Sequence, residues 1–176
     1  LIINNSYFQN NHANYGGAIY STGNCTIYSS VFSDNHVTPE SGGAIYSSGE
    51  LNVFNSFFYD NTASNLGGAI CSLGKNNFDS STFMTNTADA GGAIYTQKTA
   101  NITACGFSSN VGDNAGAIFS DWGCDIKYSS FTSNSANVGG SIYSTNDYCK
   151  INNSTFEQNH VTLYGGAIYA LSRLEI

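Results

Sequence analysis

Two pairs of aspartates are the residues of this chain whose types and spacing come closest to a catalytic pattern. Asp34 and Asp60 lie one sequence repeat apart, and about the same interval separates Asp89 from Asp113. Two carboxylates held near each other can work as general acid and base on a glycosidic bond, or can bind Ca²⁺ together. The clustered aspartates, basic residues and long cleft-forming loops of polysaccharide-cleaving enzymes are missing. Solvated turn residues are therefore the favoured interpretation of both pairs.

Histidines are the second candidates for chemistry. His12, His36 and His160 each follow an asparagine of the repeat directly. His12 and His36 belong to adjacent repeats, so their rings are expected to lie close together. Two ligands are too few for a zinc site, and no cysteine or carboxylate is placed to complete one. We therefore expect polar turn residues here, with no metal and no cofactor.

The five cysteines predict one disulfide. Cys124 and Cys149 share a position in adjacent repeats, whereas Cys25 has no partner at that position one repeat away. Equivalent residues of stacked strands lie about 4.8 Å apart, within the usual Cα separation of a disulfide. We therefore predict a Cys124–Cys149 bond. Cys71 and Cys105 replace a tyrosine and a serine of the repeat and are expected to fill space, and the odd count leaves at least one thiol free.

All of these residues are positioned by a repeat that is built on two alternating motifs. Phe-x-x-Asn begins at Phe8, Phe32, Phe58, Phe83, Phe107, Phe131 and Phe156. Gly-Gly-Ala-Ile, with one substitution in each of two copies, ends at Ile19, Ile45, Ile70, Ile94, Ile118, Ile142 and Ile168. The mean period is about 25 residues, and a fixed period of this size is typical of a solenoid.

Short runs of β-branched and aromatic residues, separated by Asn and Gly, predict strands with tight bends between them. No window has the 3.6-residue period of an amphipathic helix. We predict an all-β fold, a parallel β-helix of about seven coils of about 24–26 residues that forms one domain over residues 1–176. Paired glycines supply backbone angles that a Cβ would obstruct. Because Ala115 replaces the first glycine of its pair, the second position, Gly116, is expected to be the stricter one.

The asparagines of the Phe-x-x-Asn motif are predicted to form a buried ladder. Each side-chain amide would bond to those of the neighbouring coils and to the turn backbone. Asn never becomes Asp here, because stacked carboxylates would repel each other in a low-dielectric interior. The predicted structural ladder consists of Asn11, Asn35, Asn61, Asn86, Asn110, Asn134 and Asn159.

The residue after each Gly-Gly-Ala-Ile motif predicts a second ladder, which is mostly aromatic. If Ile points inward, strand alternation turns this residue outward, where rings are platforms for sugars or protein partners. Ala and Tyr inside with Ile outside, or a ladder covered by another segment, are open alternatives, and a structural role for the stacked rings is favoured. If the ladder is exposed, Tyr46→Ser with Tyr95→Ser is expected to weaken ligand binding without unfolding the rod. The candidate binding residues are Tyr20, Tyr46, Tyr95, Phe119, Tyr143 and Tyr169.

Composition excludes two classes of partner. The net charge is −7, and the five Lys and Arg residues are scattered along the chain. They cannot neutralise a row of phosphates, so no nucleic-acid partner is expected. No apolar stretch approaches the roughly 18 residues that are needed to cross a bilayer, so this segment is not expected to insert into a membrane. Both ends fall inside a repeat, which predicts a segment of a longer protein.

The alternation of Gly-Gly-Ala-Ile with Phe-x-x-Asn along the whole chain resembles the repeats of the chlamydial polymorphic outer-membrane proteins and of related microbial adhesin-like surface proteins. The resemblance implies a right-handed β-helix that is extracellular, on the cell surface or outer membrane, and serves adhesion. The implied partner is a glycan or protein on the surface of a host or neighbouring cell. No catalytic residue is carried over.

Two functions are weighed. The leading hypothesis is a non-enzymatic adhesin or stalk segment that mediates cell attachment, because the coils are unbroken, the charge is low and the loops are short. The alternative is a polysaccharide-active enzyme, a lyase or hydrolase, on a β-helix like that of the pectate lyases, although fold alone does not confer function. Release of reducing ends or unsaturated products, abolished by Asp34→Asn or Asp89→Asn, would favour the enzyme.

Overall fold

The computed structural model describes residues 1–176 as a solenoid of short parallel strands. It contains 29 strands and no helix. Each coil runs through up to four strands in order, and the strands of successive coils pair to form four parallel sheets, one of eight strands and three of seven. We number the sheets first to fourth in the order in which the chain meets them. The prediction of an all-β parallel β-helix with about seven coils is confirmed.

The first and second sheets carry the part of the repeat that leads into Phe-x-x-Asn. The strands of the first sheet are β1 (Ile2–Asn4), β5 (Cys25–Tyr28), β9 (Leu51–Phe54), β13 (Asn76–Asp79), β17 (Ala100–Thr103), β21 (Cys124–Lys127), β25 (Cys149–Asn152) and β29 (Leu174–Glu175). The strands of the second sheet are β2 (Tyr7–Gln9), β6 (Val31–Ser33), β10 (Phe57–Tyr59), β14 (Thr82–Met84), β18 (Gly106–Ser108), β22 (Ser130–Thr132) and β26 (Thr155–Glu157).

The third and fourth sheets flank the glycine pair. The strands of the third sheet are β3 (His12–Ala13), β7 (His36–Val37), β11 (Thr62–Ala63), β15 (Thr87–Ala90), β19 (Val111–Asn114), β23 (Ser135–Val138) and β27 (His160–Tyr164). The strands of the fourth sheet are β4 (Ile19–Ser21), β8 (Ile45–Ser47), β12 (Ile70–Ser72), β16 (Ile94–Thr96), β20 (Ile118–Ser120), β24 (Ile142–Ser144) and β28 (Ile168–Ala170).

Pairing in register places each residue on its counterpart in the next coil. Phe8 pairs with Phe32 in the second sheet, and Ile19 pairs with Ile45 in the fourth. The phenylalanine rings of the motif stack face to face with centroids 4.7–4.9 Å apart, and isoleucines of the first and fourth sheets join them in one core of 28 buried residues. These residues therefore form like-on-like columns that run along the rod.

The glycine pair explains why successive coils can approach so closely. A Cβ on Gly116 would overlap the carbonyl oxygen of Gly140 in the next coil and would lie 2.7 Å from the backbone nitrogen of Ser135. Ala115, the first position of the same pair, adopts φ of 60° although it carries a Cβ. The cost there is confined to the backbone conformation of one residue. The second position is therefore limited by contact between coils and the first only by a local turn.

Candidate functional site

The asparagine ladder lies at the bend between the second and third sheets and is fully hydrogen bonded in its interior. Asn86 is buried, and its Nδ2 donates to Asn110 Oδ1 and to the Phe58 carbonyl, both at 3.0 Å. The backbone nitrogen and Nδ2 of Asn61 donate to Asn86 Oδ1 at 3.1 and 3.0 Å. The arrangement recurs in neighbouring coils. These asparagines hold the bend and are not available to a ligand.

The aspartate pairs are not brought into a catalytic arrangement. Asp34 and Asp60 are exposed and occupy the bend just before the ladder asparagine, with φ of 54° and 55°. Asp and Asn enter the left-handed region more readily than most residues, so a backbone requirement accounts for this pair. Asp89 and Asp113 are exposed on the third sheet, where Asn137 Nδ2 donates to Asp113 Oδ1 at 3.4 Å. Neither pair lies in a groove.

The histidines stack without forming a metal centre. The rings of His12 and His36 lie 5.2 Å apart and nearly parallel on the third sheet. The Nε2 atom of His36 is 2.6 Å from Thr38 Oγ1. No group of three or more His, Cys, Asp or Glu side chains is placed to hold a metal ion. The two rings therefore stabilise each other as neighbouring residues of the sheet.

The cysteines divide into one bonded pair and three buried thiols. Cys124 and Cys149 form a disulfide with their Cα atoms 4.3 Å apart. Cys105 occupies the serine position of its coil and keeps its hydrogen bonds, since its sulfur accepts from the Ser81 backbone nitrogen at 3.4 Å. Burial raises the pKa of both Cys71 and Cys105 to about 12, so neither is a reactive thiolate at neutral pH.

The aromatic ladder of the fourth sheet faces outward. Ala44 and Ile45 are both fully buried in the core, which leaves the following residue, Tyr46, on the outer face. The alternative with Tyr inside and Ile outside is therefore wrong. Tyr20 stacks on Tyr46 with ring centroids 5.3 Å apart, and Tyr15 packs edge-on against both. These three tyrosines form one exposed aromatic cluster, in which Tyr20 is 58% exposed.

The ladder is not continuous as a binding surface. Cys71 is fully buried, and Tyr95 is only 9% exposed. The Tyr95 hydroxyl donates to Asp121 Oδ2. Burial is the larger cause and this hydrogen bond the second cause that raise the pKa of Tyr95. The expectation that Tyr95 presents its ring to a ligand is thus corrected, because the corner of the next coil covers it. Phe119, Tyr143 and Tyr169 continue the ladder as half-buried rings that pack edge-on against one another.

A groove that the sequence did not predict lies over the first sheet and the corner that leads into it. We call it the first-sheet groove. Its volume is about 780 Å³, and it combines four asparagine side chains from three successive coils with two lysines and two exposed aromatic rings. Its lining residues are Glu50, Asn52, Lys75, Asn76, Asn77, Lys98, Thr99, Asn101, Trp122, Asp125 and Tyr148.

The cations of the chain are gathered on this side of the rod. All five lie in the first sheet or in the corner between the fourth and first sheets, namely Lys75, Lys98, Lys127, Lys150 and Arg173. The five cations are scattered along the sequence, but they lie on one side of the rod because each occupies the same part of its coil. Lys127 pairs with Asp125, whereas Lys150 and Arg173 pair with Glu175. Lys75 and Lys98 form no ion pair.

Trp122 and Tyr148 form the aromatic end of the first-sheet groove. They are 51% and 45% exposed, and they lie in the corners of successive coils. The Lys98 ammonium lies 5.9 Å from the centroid of the Trp122 ring. The disulfide joins the strands that begin just after these two corners, since Cys124 is two residues beyond Trp122 and Cys149 follows Tyr148 directly. The bond therefore links the two strands that follow these corners.

The sequence contains a signal for this groove, but the signal becomes visible only when the repeats are aligned with one another. Counted from the preceding isoleucine of the fourth sheet, Lys98 and Trp122 occupy the same position in adjacent coils. Glycine fills that position in earlier coils, at Gly49 and Gly74. Alignment by coil phase would have revealed a lysine and a tryptophan on neighbouring steps, which a search for spacing motifs does not detect.

The fold and its surfaces define a parallel β-solenoid whose regular interior supports a variable exterior. The sequence model of the Chlamydia polymorphic membrane protein repeat matches five segments, residues 5–22, 29–48, 55–73, 80–97 and 153–171. Because these segments make up more than half of the chain, the protein belongs to this repeat family. The family is one of surface and outer-membrane proteins and is not an enzyme family.

The remaining comparisons add no relatives. No curated protein and no solved structure gives a significant match. Among the elements of the fold there is no helix long and apolar enough to cross a membrane. Between its fourth and fifth segments the family match leaves residues 98–152 uncovered. That stretch contains Lys98, Trp122, Tyr148 and the disulfide, so the aromatic half of the first-sheet groove lies outside the matched repeats.

Proposed function

We propose that this chain is a non-catalytic segment of a surface-displayed adhesin, which attaches the cell that bears it to a glycan or protein of a host or neighbouring cell. The observation that carries the proposal is the contrast between interior and exterior. Like residues stack in the phenylalanine, asparagine and fourth-sheet isoleucine columns of the interior, whereas outward positions in register change type from coil to coil, as in Asp79, Thr103, Lys127 and Asn152. Such a rod keeps a fixed shape while its surface is free to specialise in binding.

The exposed tyrosine cluster supports attachment through the fourth sheet. Tyr15, Tyr20 and Tyr46 present rings with polar tips, and the interaction of Tyr15 with the nearby Glu40 carboxylate raises the pKa of the Tyr15 hydroxyl. Tyrosine contributes a large, rigid contact area, and for this reason it is enriched at binding surfaces. A partner protein or a glycan would be recognised by such a cluster.

The experiment is attachment of beads that carry the purified segment to a panel of animal and microbial cells and to arrayed glycans and matrix proteins. Tyr20→Ser with Tyr46→Ser is the test variant, because Tyr95 is buried and its replacement would confound binding with stability. Tyr128→Ser, which removes another exposed ring far from the cluster, is the matched control. Attachment by the parent and the control, weakened in the double variant, supports the proposal. If none of the three proteins attaches, the proposal is refuted.

Catalysis is tested on the same preparation. The enzyme alternative requires turnover of a polysaccharide that depends on Asp34 or Asp89. Both carboxylates are exposed, one at a left-handed bend and the other on the third sheet. We expect no reducing ends and no unsaturated products from a polysaccharide panel. If the parent protein turns over a polysaccharide and Asp34→Asn or Asp89→Asn abolishes that turnover, the enzyme alternative replaces the adhesin proposal.

A further inference from the structure

The first-sheet groove offers hydrogen-bond donors that have no partner within the protein. No side-chain hydrogen bond is made by Lys75 Nζ, Lys98 Nζ or the Asn77 amide, although all three line the groove. Of its two carboxylates, Glu50 accepts from Asn52 Nδ2 at 3.1 Å, and Asp125 pairs through Oδ2 with Lys127 at 3.0 Å while its Oδ1 is buried without a partner. The two ammonium groups are therefore the unpaired charges of the groove, which suits a ligand with acceptors and negative charge.

The floor of the groove repeats at the interval of the coil. Asn52, Asn77 and Asn101 occupy one outward row of the first sheet on successive strands, followed by Asp125. Strand spacing of about 4.8 Å gives this row a length of about 14 Å. Asn101 Nδ2 donates to the carbonyls of Asn76 and Thr99, and these bonds fix the side-chain amide. Its Oδ1 remains free to accept a hydrogen bond from a ligand. A regular row of amides in an open groove suits an extended polymer with hydroxyl groups.

The aromatic end of the groove adds flat apolar surface next to positive charge. Trp122 and Tyr148 are exposed without being covered by any other segment, and Lys98 lies beside the indole ring. Tyr148 also borders a second depression of about 500 Å³, which is lined by Lys150 and Arg173 together with Asp147 and Glu175. The concave surface therefore continues past the aromatic rings toward Lys150 and Arg173. A surface of this length suits an extended ligand better than a compact one.

We propose that the first-sheet groove binds an extended acidic polysaccharide, whose sugar rings lie against Trp122 and Tyr148 and whose carboxylate or sulfate groups pair with Lys75 and Lys98. The inference rests on the proposed attachment function and adds to it a second surface with a defined ligand class. The two unpaired lysines select the class. The face of the five cations also carries six of the twelve carboxylates, whereas the rest of the rod carries the other six without Lys or Arg, so an acidic chain is repelled least at this face and pairs there with Lys75 and Lys98.

The test is equilibrium binding of the purified, oxidised segment to four polymers. Polygalacturonate carries carboxylates only, dextran sulfate carries sulfates, dextran is the neutral backbone of the latter, and double-stranded DNA is an unrelated polyanion. We expect at least one of the two acidic polysaccharides to bind, with affinity that decreases as salt increases, and dextran and DNA to bind at least about tenfold more weakly. The arm that binds identifies the acidic group.

Three variants locate the site. Trp122→Ala should weaken binding about tenfold, and Lys75→Gln with Lys98→Gln should weaken it by a similar factor and flatten its salt dependence. Tyr128→Ala removes an exposed ring outside the groove, and Asp89→Asn with Asp113→Asn changes the net charge by two on another sheet; both controls should stay within about twofold of the parent. Melting curves monitored by circular dichroism verify that each protein is folded.

Each outcome decides the inference. Loss in the groove variants with unchanged controls supports it. Binding that follows net charge alone, with the aspartate control gaining as much as the lysine variant loses, overturns it. Equal binding of DNA, an unchanged Trp122→Ala variant, or no binding of either acidic polymer also overturns it. In the last case, beads that still attach to cells leave the adhesin proposal standing, whereas failure of both assays removes both.

Discussion

Replacement of a single ladder asparagine measures how much the interior depends on its hydrogen bonds. The perturbation is Asn86→Leu, which keeps side-chain size but removes every polar atom. Both N–H groups of Asn61 that donate to Asn86 Oδ1 lose their acceptor, and the Phe58 carbonyl loses a donor. Asn110 Oδ1 keeps the Asn86 backbone N–H as a partner. Each orphaned buried group costs about 1–3 kcal/mol, so the two N–H groups alone predict a loss of about 2–6 kcal/mol.

The chain supplies a matched control at the end of the same ladder. No side chain or backbone group donates to Asn11 Oδ1, and Asn35 Oδ1 retains the Asn11 backbone N–H when the side chain is removed. We therefore expect Asn11→Leu to cost less than about 1 kcal/mol. The assay is denaturant unfolding followed both by far-ultraviolet circular dichroism and by the fluorescence of Trp122, the single tryptophan. If the two variants lose equal stability, the hydrogen-bond argument is refuted.

Substitution by aspartate adds a pH signature at the same position. An introduced carboxyl at Asn86 would face two acceptors, Asn110 Oδ1 and the Phe58 carbonyl, and burial would raise its pKa above the unfolded value of about 3.9. The stability of Asn86→Asp is then highest below about pH 4 and decreases as the pH rises toward the elevated folded-state pKa. An unfolding free energy that tracks the parent from pH 4 to pH 8 would contradict this expectation.

The remaining predictions concern close packing and the cysteines. Gly116→Ala should cost about 3 kcal/mol or more in denaturant unfolding, because its Cβ overlaps the next coil, whereas Gly166→Ala at the same repeat position in the last coil has open space and should cost less than about 1 kcal/mol. Burial raises the pKa of Cys71 to about 12, so iodoacetamide at pH 8 should label this thiol only after unfolding. The stability that the buried thiol contributes is fully present below about pH 8.5 and should decline as the pH rises toward 12. Reduction of Cys124–Cys149 should lower the unfolding free energy by roughly 3 kcal/mol, and unchanged midpoints with and without reductant would show that the bond does not stabilise the rod.

The interior of the rod was accessible from the sequence because stacking makes each coil a copy of its neighbour. The period alone places Phe58 on Phe83 and Asn61 on Asn86. Once the structure is a solenoid, spatial neighbours at a given position are known from the alignment of repeats. The same reasoning placed Cys124 opposite Cys149, where the structure has a disulfide.

The exterior was less accessible because it depends on contacts between different phases of adjacent coils. Tyr95 is an outward residue of a strand, yet Asp121 from the next corner bonds its hydroxyl and hides its ring. Trp122 and Tyr148 lie in corners of unequal length, so their alignment over the groove depends on the local path of the chain. Whether an outward side chain is buried depends on which residues of the adjacent coil contact it, and the repeat pattern does not specify those contacts.

A direction runs through the asparagine ladder, and it has a consequence for how such rods grow. Each side-chain amide donates to the oxygen of the asparagine in the following coil, and none donates to the asparagine of the preceding one. The amide dipoles therefore align from head to tail, and the two flat faces of a coil are chemically unlike. A duplicated coil fits anywhere in this series if it keeps the same sense, but a reversed one would set oxygen against oxygen. Lengthening by copying is thus vectorial, and two rods that meet end to end can continue the series only as a filament, never as a closed symmetric pair.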